Sequence, residues 1–182
     1  VGVSFAKSFA RALNIPLIDV NHLEAHVLAH FIKDTPDQKV PQFPFLCLLV
    51  SGGNTQIILL ESPRKMQVIG KTIDDAAGET IDKAAKILSL PYPGGPHIDR
   101  LAKEGTPNIV FSQSNIKNYD YSFSGLKTAS LQLIQRLKKE CDELPVKDIV
   151  ASFQENVSST LFNKVKKAAD DINAKTIVLA GG

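Results

Sequence analysis

The stretch Phe45-Leu46-Cys47-Leu48-Leu49-Val50-Ser51-Gly52-Gly53-Asn54-Thr55-Gln56-Ile57-Ile58-Leu59-Leu60 decides the fold. Residues 45–50 are apolar without a break, the pattern of a strand covered on both faces at the centre of a sheet. Residues 51–55 interrupt it, and residues 56–60 resume as a second strand, so the segment reads as a β-hairpin with a glycine-rich tip. A Gly-Gly pair lets backbone N–H groups approach an anion closely, and Ser51, Asn54 and Thr55 add side-chain donors, as a phosphate cradle requires. An ordinary hairpin turn uses the same residue types. No Gly-Lys-Ser/Thr follows, so the loop is not a Walker A motif.

Downstream of the hairpin, residues 66–73 read as a third strand that completes a meander. In Asp74-Asp75-Ala76-Ala77-Gly78-Glu79-Thr80-Ile81-Asp82-Lys83, apolar positions from Ala77 through Leu88 follow the helical period. Asp75, Glu79 and Asp82 share one face of that helix. Lys83 and Lys86 each stand one turn beyond an acid, so pairing within the helix is the plain reading. The functional reading is a carboxylate face turned to a cleft, holding a sugar hydroxyl or a hydrated cation. Pro91-Tyr92-Pro93-Gly94-Gly95-Pro96 predicts a tight irregular turn. A short helix over 97–105 follows, stopped by Gly105. The segment 118–128 is polar and aromatic: a loop docked on the core, or aromatics that with Lys127 meet a nucleic-acid strand. Helices are predicted over 126–140 and 146–171, with a last strand over 176–180.

Upstream, Phe5, Phe9, Ala12 and Leu13 repeat at helical spacing over 4–13, Asn14 suits the helix end, and Pro16 bars its continuation. Residues 15–20 read as a strand leading into Asn21-His22-Leu23-Glu24-Ala25-His26-Val27-Leu28-Ala29-His30. Asn21 is a good N-cap, with Glu24 three residues on. His22 and His26 are four apart, so both imidazoles project from one helix face and can share one metal ion. His30 repeats that spacing from His26. A solvated or hydrogen-bonded His pair fits the spacing equally, and two ligands do not complete a zinc or iron site. The polar, proline-containing segment 33–44 is the best candidate for a lobe boundary.

The 182 residues can bury a real core, and a hydrophobic fraction of 43% with 22% charged residues is that of a globular protein. A net charge of +2 gives no global basic field announcing nucleic acid. Cys47 and Cys141 form no CxxC pair, and Cys47 in its apolar run reads as a buried thiol, which fits a reducing compartment and a cytoplasmic protein. No apolar run reaches the roughly 18 residues of a membrane span, and no signal peptide is visible. The chain opens without Met and closes with a strand running into Gly181-Gly182, so it reads as an internal piece of a longer protein.

His22-Leu-Glu-Ala-His26, Ser51-Gly-Gly-Asn-Thr55, Asp74-Asp-Ala-Ala-Gly-Glu79 with Asp82-Lys83, Tyr92-Pro-Gly-Gly-Pro96 and Ser122-Phe-Ser-Gly-Leu-Lys-Thr128 together resemble the TsaD family in type and order, in its bacterial or organellar branch. That family was formerly described as O-sialoglycoprotein endopeptidase, or glycoprotease. The resemblance spans essentially the whole chain. It implies an α/β protein of the actin/hexokinase-like (ASKHA) fold, two lobes around a nucleotide cleft. Residues 1–42 would end the first lobe and carry the metal-binding helix. Residues 43–182 would form most of the second, with a helical insertion.

The implied activity is transfer of a threonylcarbamoyl group from threonylcarbamoyl-adenylate to N6 of the adenosine at tRNA position 37, 3′ of the anticodon. By the same matching, His22 and His26 would hold one iron(II) or zinc ion per subunit. Leu49, Val50, Ser51, Gly52, Gly53, Asp82, Gly95 and Asp99 would contact the adenylate or an adenine nucleotide. Implied partners are the tRNA, an ASKHA paralogue of the TsaB type and an ATPase of the TsaE type, with no membrane. The family's third metal ligand, a downstream Asp, is not in this sequence, and the nucleotide loop begins at Gly181-Gly182, so the chain alone is expected to be inactive.

Two alternatives stand beside this. For a metalloprotease, the general-base Glu directly follows the first His of a zincin; Glu24 is two after His22, about 200° round the helix and turned away. A non-catalytic ASKHA scaffold lacks the His pair that this chain carries.

Overall fold

The computed structural model describes residues 1–111, 116–140 and 143–182. Strands β1 (Phe45–Val50), β2 (Thr55–Ser62), β3 (Lys65–Lys71) and β4 (Ile177–Gly181) form one sheet in the order β3-β2-β1-β4. β1, β2 and β3 are an antiparallel meander, as the hairpin reading predicts, and β4 returns to pair with β1 in parallel. β1 is therefore interior, and its unbroken apolar sequence is used on both faces. Phe45, Cys47 and Leu49 enter one core with Ile58 and Leu60; Leu46 and Leu48 enter the other with Ile57.

Of helices α1 (Gly2–Leu13), α2 (His22–Leu28), α3 (Ala77–Ile87), α4 (Gly94–Ala102), α5 (Ser124–Glu140) and α6 (Val146–Ile172), all but the largely exposed α1 divide between these faces. α2 and the 3-10 turn Ala29–Phe31 cover the first face, through Val27, Leu23 and Phe31. α3, α5 and α6 bury their apolar stripes in the second, larger core, with α4 laid along α3 and α6. The 27 residues of α6 sink Ile149, Val150, Phe153, Val157, Val165 and Ala168 into it, because those positions recur at helical spacing.

Several expectations are revised. Residues 15–20 are not a strand: they are irregular and open, with Ile18 83% and Val20 71% exposed. A short apolar run does not by itself make a strand, and among the described residues no neighbour offers this segment a ladder. α1 does end at Asn14, whose left-handed backbone (φ 53°) closes the helix onto the Ala10 and Arg11 carbonyls. α4 begins at Gly94, earlier than residue 97, taking Gly94-Gly95-Pro96 as its first turn. Proline is tolerated there because first-turn N–H groups have no helical partner in any case. Tyr121 and Phe123 lie in the core, each 1% exposed with stacked rings, so the docked-loop reading of segment 118–128 holds and the nucleic-acid reading of these two rings does not. Cys141 lies outside the described residues.

Candidate functional site

The site is built around the end of β1. Ser51 donates its N–H to the Asn54 carbonyl at 2.8 Å, and Asn54 donates its N–H back to the Ser51 hydroxyl at 3.1 Å, closing the turn on itself. Among the described residues no hydrogen bond is made by the N–H of Gly52 or Gly53. A Cβ added to either glycine would meet nothing within 4 Å, so the tip is open. The side-chain reading of this turn changes in part. Ser51 spends its hydroxyl on the turn. Thr55 is fully buried and its hydroxyl accepts the N–H of Ala77 at 2.9 Å, capping α3 rather than facing a ligand.

That cap brings the start of α3 against the turn. A Cβ on Gly78 would fall 2.7 Å from the Ser51 carbonyl oxygen and 2.9 Å from Gly52 Cα. Only a glycine permits this approach, and it sets the positive end of the α3 dipole behind Gly52 and Gly53. Backbone donors on an open tip with a helix N-terminus behind them suit an anion.

α3 also orients the remaining candidates. Asp82 Oδ1 accepts the N–H of Gly94 at 2.8 Å, supplying the first turn of α4 with a cap from another helix. A Cβ on Gly94 would lie 2.3 Å from Ala85 Cβ, so the two helices cross at van der Waals distance there. Gly95 next door is open: a Cβ added there would meet nothing within 4 Å. Asp99, one turn on, accepts from Lys103 Nζ at 2.7 Å and from Gln154 Nε2 of α6 at 3.5 Å. The Lys103 ammonium first of all, opposed by partial desolvation, holds the Asp99 carboxyl below its usual range. Asp82 and Gly94 thus form the α3–α4 crossing, Gly95 stands open next to it, and Asp99 faces α6 through Gln154 instead. Glu79, Asp82, Leu90 and Tyr92 line a mostly apolar hollow of about 440 Å³ beside the crossing. Tyr92, 85% exposed at its mouth, was not singled out by the sequence reading; an aromatic between two prolines in a surface turn is the signal for it.

The acidic face resolves into pairs. Lys83 Nζ stands 2.7 Å from Asp75 Oδ1 and 2.8 Å from Glu79 Oε1. Asp82 goes to Gly94 instead of to Lys86. Asp74, just before, is held by another segment. It accepts the Ser122 hydroxyl at 2.6 Å and the Phe123 N–H at 2.8 Å, with Ser124 adding further bonds, and so caps α5. Tyr121 N–H donates to the Lys71 carbonyl and Ile73 N–H to the Tyr121 carbonyl, which ties the same two segments by backbone.

The His pair stands on the other face of the sheet. Asn21 Oδ1 accepts the N–H groups of Leu23 and Glu24 at 2.9 and 3.2 Å, the predicted cap. Val27, fully buried, pins α2 to Phe45, Cys47 and Leu49, which leaves His22 exposed and His26 half-buried. Their Nε2 atoms converge to 3.2 Å with the rings edge-on at 4.6 Å. As the pair stands, this is a hydrogen bond between the two rings; the same two nitrogens would supply half of a tetrahedral set to a borderline-soft divalent ion. Among the described residues no group of three His, Cys, Asp or Glu forms around them. His30 sits in the 3-10 turn, out of register with the pair, and lines a separate hollow with Asp34, Gln38 and Thr176. Glu24 is exposed in the first turn of α2. No described helix is long and apolar enough to cross a membrane.

The model of the family TsaD, tRNA N6-adenosine threonylcarbamoyltransferase, matches residues 1–182. Proteins of that name from Phocaeicola vulgatus, Porphyromonas gingivalis and Dictyoglomus turgidum are 54%, 51% and 49% identical over the whole chain. The chain spans only about half of their length: 55%, 55% and 54%. Among solved structures, (R)-2-hydroxyglutaryl-CoA dehydratase component A from Acidaminococcus fermentans superposes with a TM-score of 0.51. It covers 94% of this chain at 20% identity, and the match takes in 57% of that protein, a likeness of fold alone.

Proposed function

The chain belongs to the TsaD family of tRNA N6-adenosine threonylcarbamoyltransferases, and from that membership we propose that it is the part of such a transferase that grips the adenylate. The carrying observation is the open Gly52-Gly53 tip, whose two N–H groups are unpaired among the described residues, backed by the start of α3. In this reading the protein has the two-lobed actin/hexokinase-like architecture, with residues 1–42 closing one lobe and 43–182 forming most of the other.

Gly52 and Gly53 donate their N–H groups to the phosphate of threonylcarbamoyl-adenylate, and Val50 and Ser51, with the backbone of Leu49, form the floor of that contact; the Leu49 side chain is in the core under α2. Asp82, Gly95 and Asp99 lie along the nucleoside, where the open Cα of Gly95 leaves room for a base or sugar. The acceptor is N6 of the adenosine at tRNA position 37. A bond forms between N6 and the carbamoyl carbon, the bond from that carbon to the phosphate oxygen breaks, AMP leaves with the electron pair, and N6 gives up a proton. Donors fixed at the phosphate disperse the charge that develops on the leaving group without reorganising. His22 and His26 would hold an iron(II) or zinc ion, whose chemistry is Lewis acidity toward a carbonyl or carboxylate oxygen. The protein would work in the cytoplasm, with a TsaB-type paralogue and a TsaE-type ATPase.

The test is in vitro transfer by the full-length protein with its partner subunits, threonylcarbamoyl-adenylate and unmodified tRNA. Threonylcarbamoyladenosine in the digested tRNA is the expected product. Hydrolysis of a protein substrate, lost on Glu24→Ala and with no tRNA product, would contradict the proposal.

A further inference from the structure

Two carboxylates flank the glycine that touches the turn. Asp75 precedes α3, Glu79 lies in its first turn, and Gly78 between them packs on Ser51 and Gly52. Left uncompensated, both would oppose an anion at Gly52 and Gly53, since negative charges on the segment that packs against the turn repel it even through partly solvated protein. Lys83 answers both. Its Nζ bridges Asp75 Oδ1 at 2.7 Å and Glu79 Oε1 at 2.8 Å, with side-chain exposures of 32% for the lysine against 22% and 47% for the acids.

A helix-supporting role accounts for only half of this. Glu79 and Lys83 are an i,i+4 pair of the ordinary kind. Asp75 is outside the helix and eight residues from Lys83, so that bond fixes the segment entering α3 instead. The hydrogen bonds that the ammonium donates to Asp75 first and to Glu79 second raise the Lys83 pKa, so it is charged throughout the neutral range.

We propose that Lys83 is a positioning residue for the anionic ligand: by pinning Asp75 and Glu79 and offsetting one of their two negative charges it allows the turn of Ser51, Gly52 and Gly53 to accept a phosphate. This rests on the reading of that turn as the adenylate site. The charge, not the shape, is what Lys83 contributes, so its removal discriminates between a charged ligand and its neutral counterpart.

The experiment is titration of the full-length protein with AMP and with adenosine. Lys83→Met is expected to weaken AMP binding by about tenfold and to leave adenosine binding unchanged, the signature of a local field. Lys83→Arg is expected to retain AMP binding. The triple variant Asp75→Asn, Glu79→Gln, Lys83→Met, which removes the acids with the lysine, is expected to recover most of the AMP affinity. Retained adenosine binding reports that each variant is folded. The proposal is overturned if Lys83→Met binds AMP like the wild type, if AMP and adenosine weaken together, or if the triple variant stays as weak as the single one. If the wild type binds AMP no better than adenosine, and Gly53→Val leaves both unaffected, the phosphate reading of the turn falls and takes the role of Lys83 with it.

Discussion

The hydroxyl of Thr55 accepts the N–H of Ala77 at 2.9 Å in a fully buried contact between the first residue of β2 and the first residue of α3. One bond thereby sets the distance between the glycine turn and the helix behind it. Thr55→Val keeps the shape and deletes the acceptor. It is expected to lower stability by about 1–2 kcal/mol, the range for a lost cap with a buried N–H left unpaired. Denaturant unfolding of the variant measures this, and an unchanged midpoint would mean that the cap is dispensable.

The glycines divide into two classes that mutagenesis can separate. Gly78→Ala and Gly94→Ala force a methyl group to within 2.7 Å of the Ser51 carbonyl and 2.3 Å of Ala85 Cβ. Overpacking of that kind costs about 1–3 kcal/mol. Gly52→Ala and Gly53→Ala meet nothing within 4 Å and stay at ordinary negative φ, so stability should change by no more than about 0.5 kcal/mol. Their effect belongs to the ligand: nucleotide affinity should fall about tenfold, or about 1.4 kcal/mol, because a methyl group occupies the approach to the N–H donors. Thermal unfolding and nucleotide titration on the same four variants read both classes.

Asp74 gives the fold an acid sensitivity. Partial desolvation works against its charge, but the Ser122 hydroxyl, the Phe123 N–H and the bonds from Ser124 outweigh it, and its carboxyl is held below the ordinary value. A depressed folded-state pKa contributes stability above the unfolded value, about 4, that is lost as pH falls through the lower folded value. Asp74→Asn should therefore destabilise the protein at pH 7, and by less at pH 2 than at pH 7. Unfolding midpoints that differ by the same amount at both pH values would refute the capping role of the charge.

Cys47 is fully buried between α2 and the sheet, and burial pushes its thiol up to about 12. In a Cys141→Ser background the native protein should resist alkylation at neutral pH and react fully once unfolded, since the thiolate is the reactive form. Rapid labelling of the folded protein would show that α2 lifts off the sheet.

Much of this was legible in the sequence, for identifiable reasons. The β1–β2 hairpin, the cap at Asn21 and helices α3, α5 and α6 follow from periodicity and capping chemistry, which are local. The parallel return of β4 beside β1 and the placement of Thr55, Asp74 and Asp82 as caps on other segments are contacts across 22, 49 and 12 residues, which local patterns do not encode. Residues 15–20 show the opposite error: the run is apolar enough for a strand, but no described strand pairs with it. The His pair was legible as a spacing, and the 3.2 Å convergence of its Nε2 atoms is what the fold adds.

The most direct test of the central claim, that this chain is the adenylate-gripping and metal-holding part of a tRNA threonylcarbamoyltransferase, is complementation. The full-length gene, as wild type and as His22→Ala and Gly53→Val variants, is expressed in a strain lacking threonylcarbamoyladenosine, and tRNA nucleosides are quantified by mass spectrometry. The account predicts that the wild type restores the modified nucleoside and that each variant, present at equal protein level, restores little of it. Full restoration by both variants, or none by the wild type in the presence of its partner subunits, would contradict it.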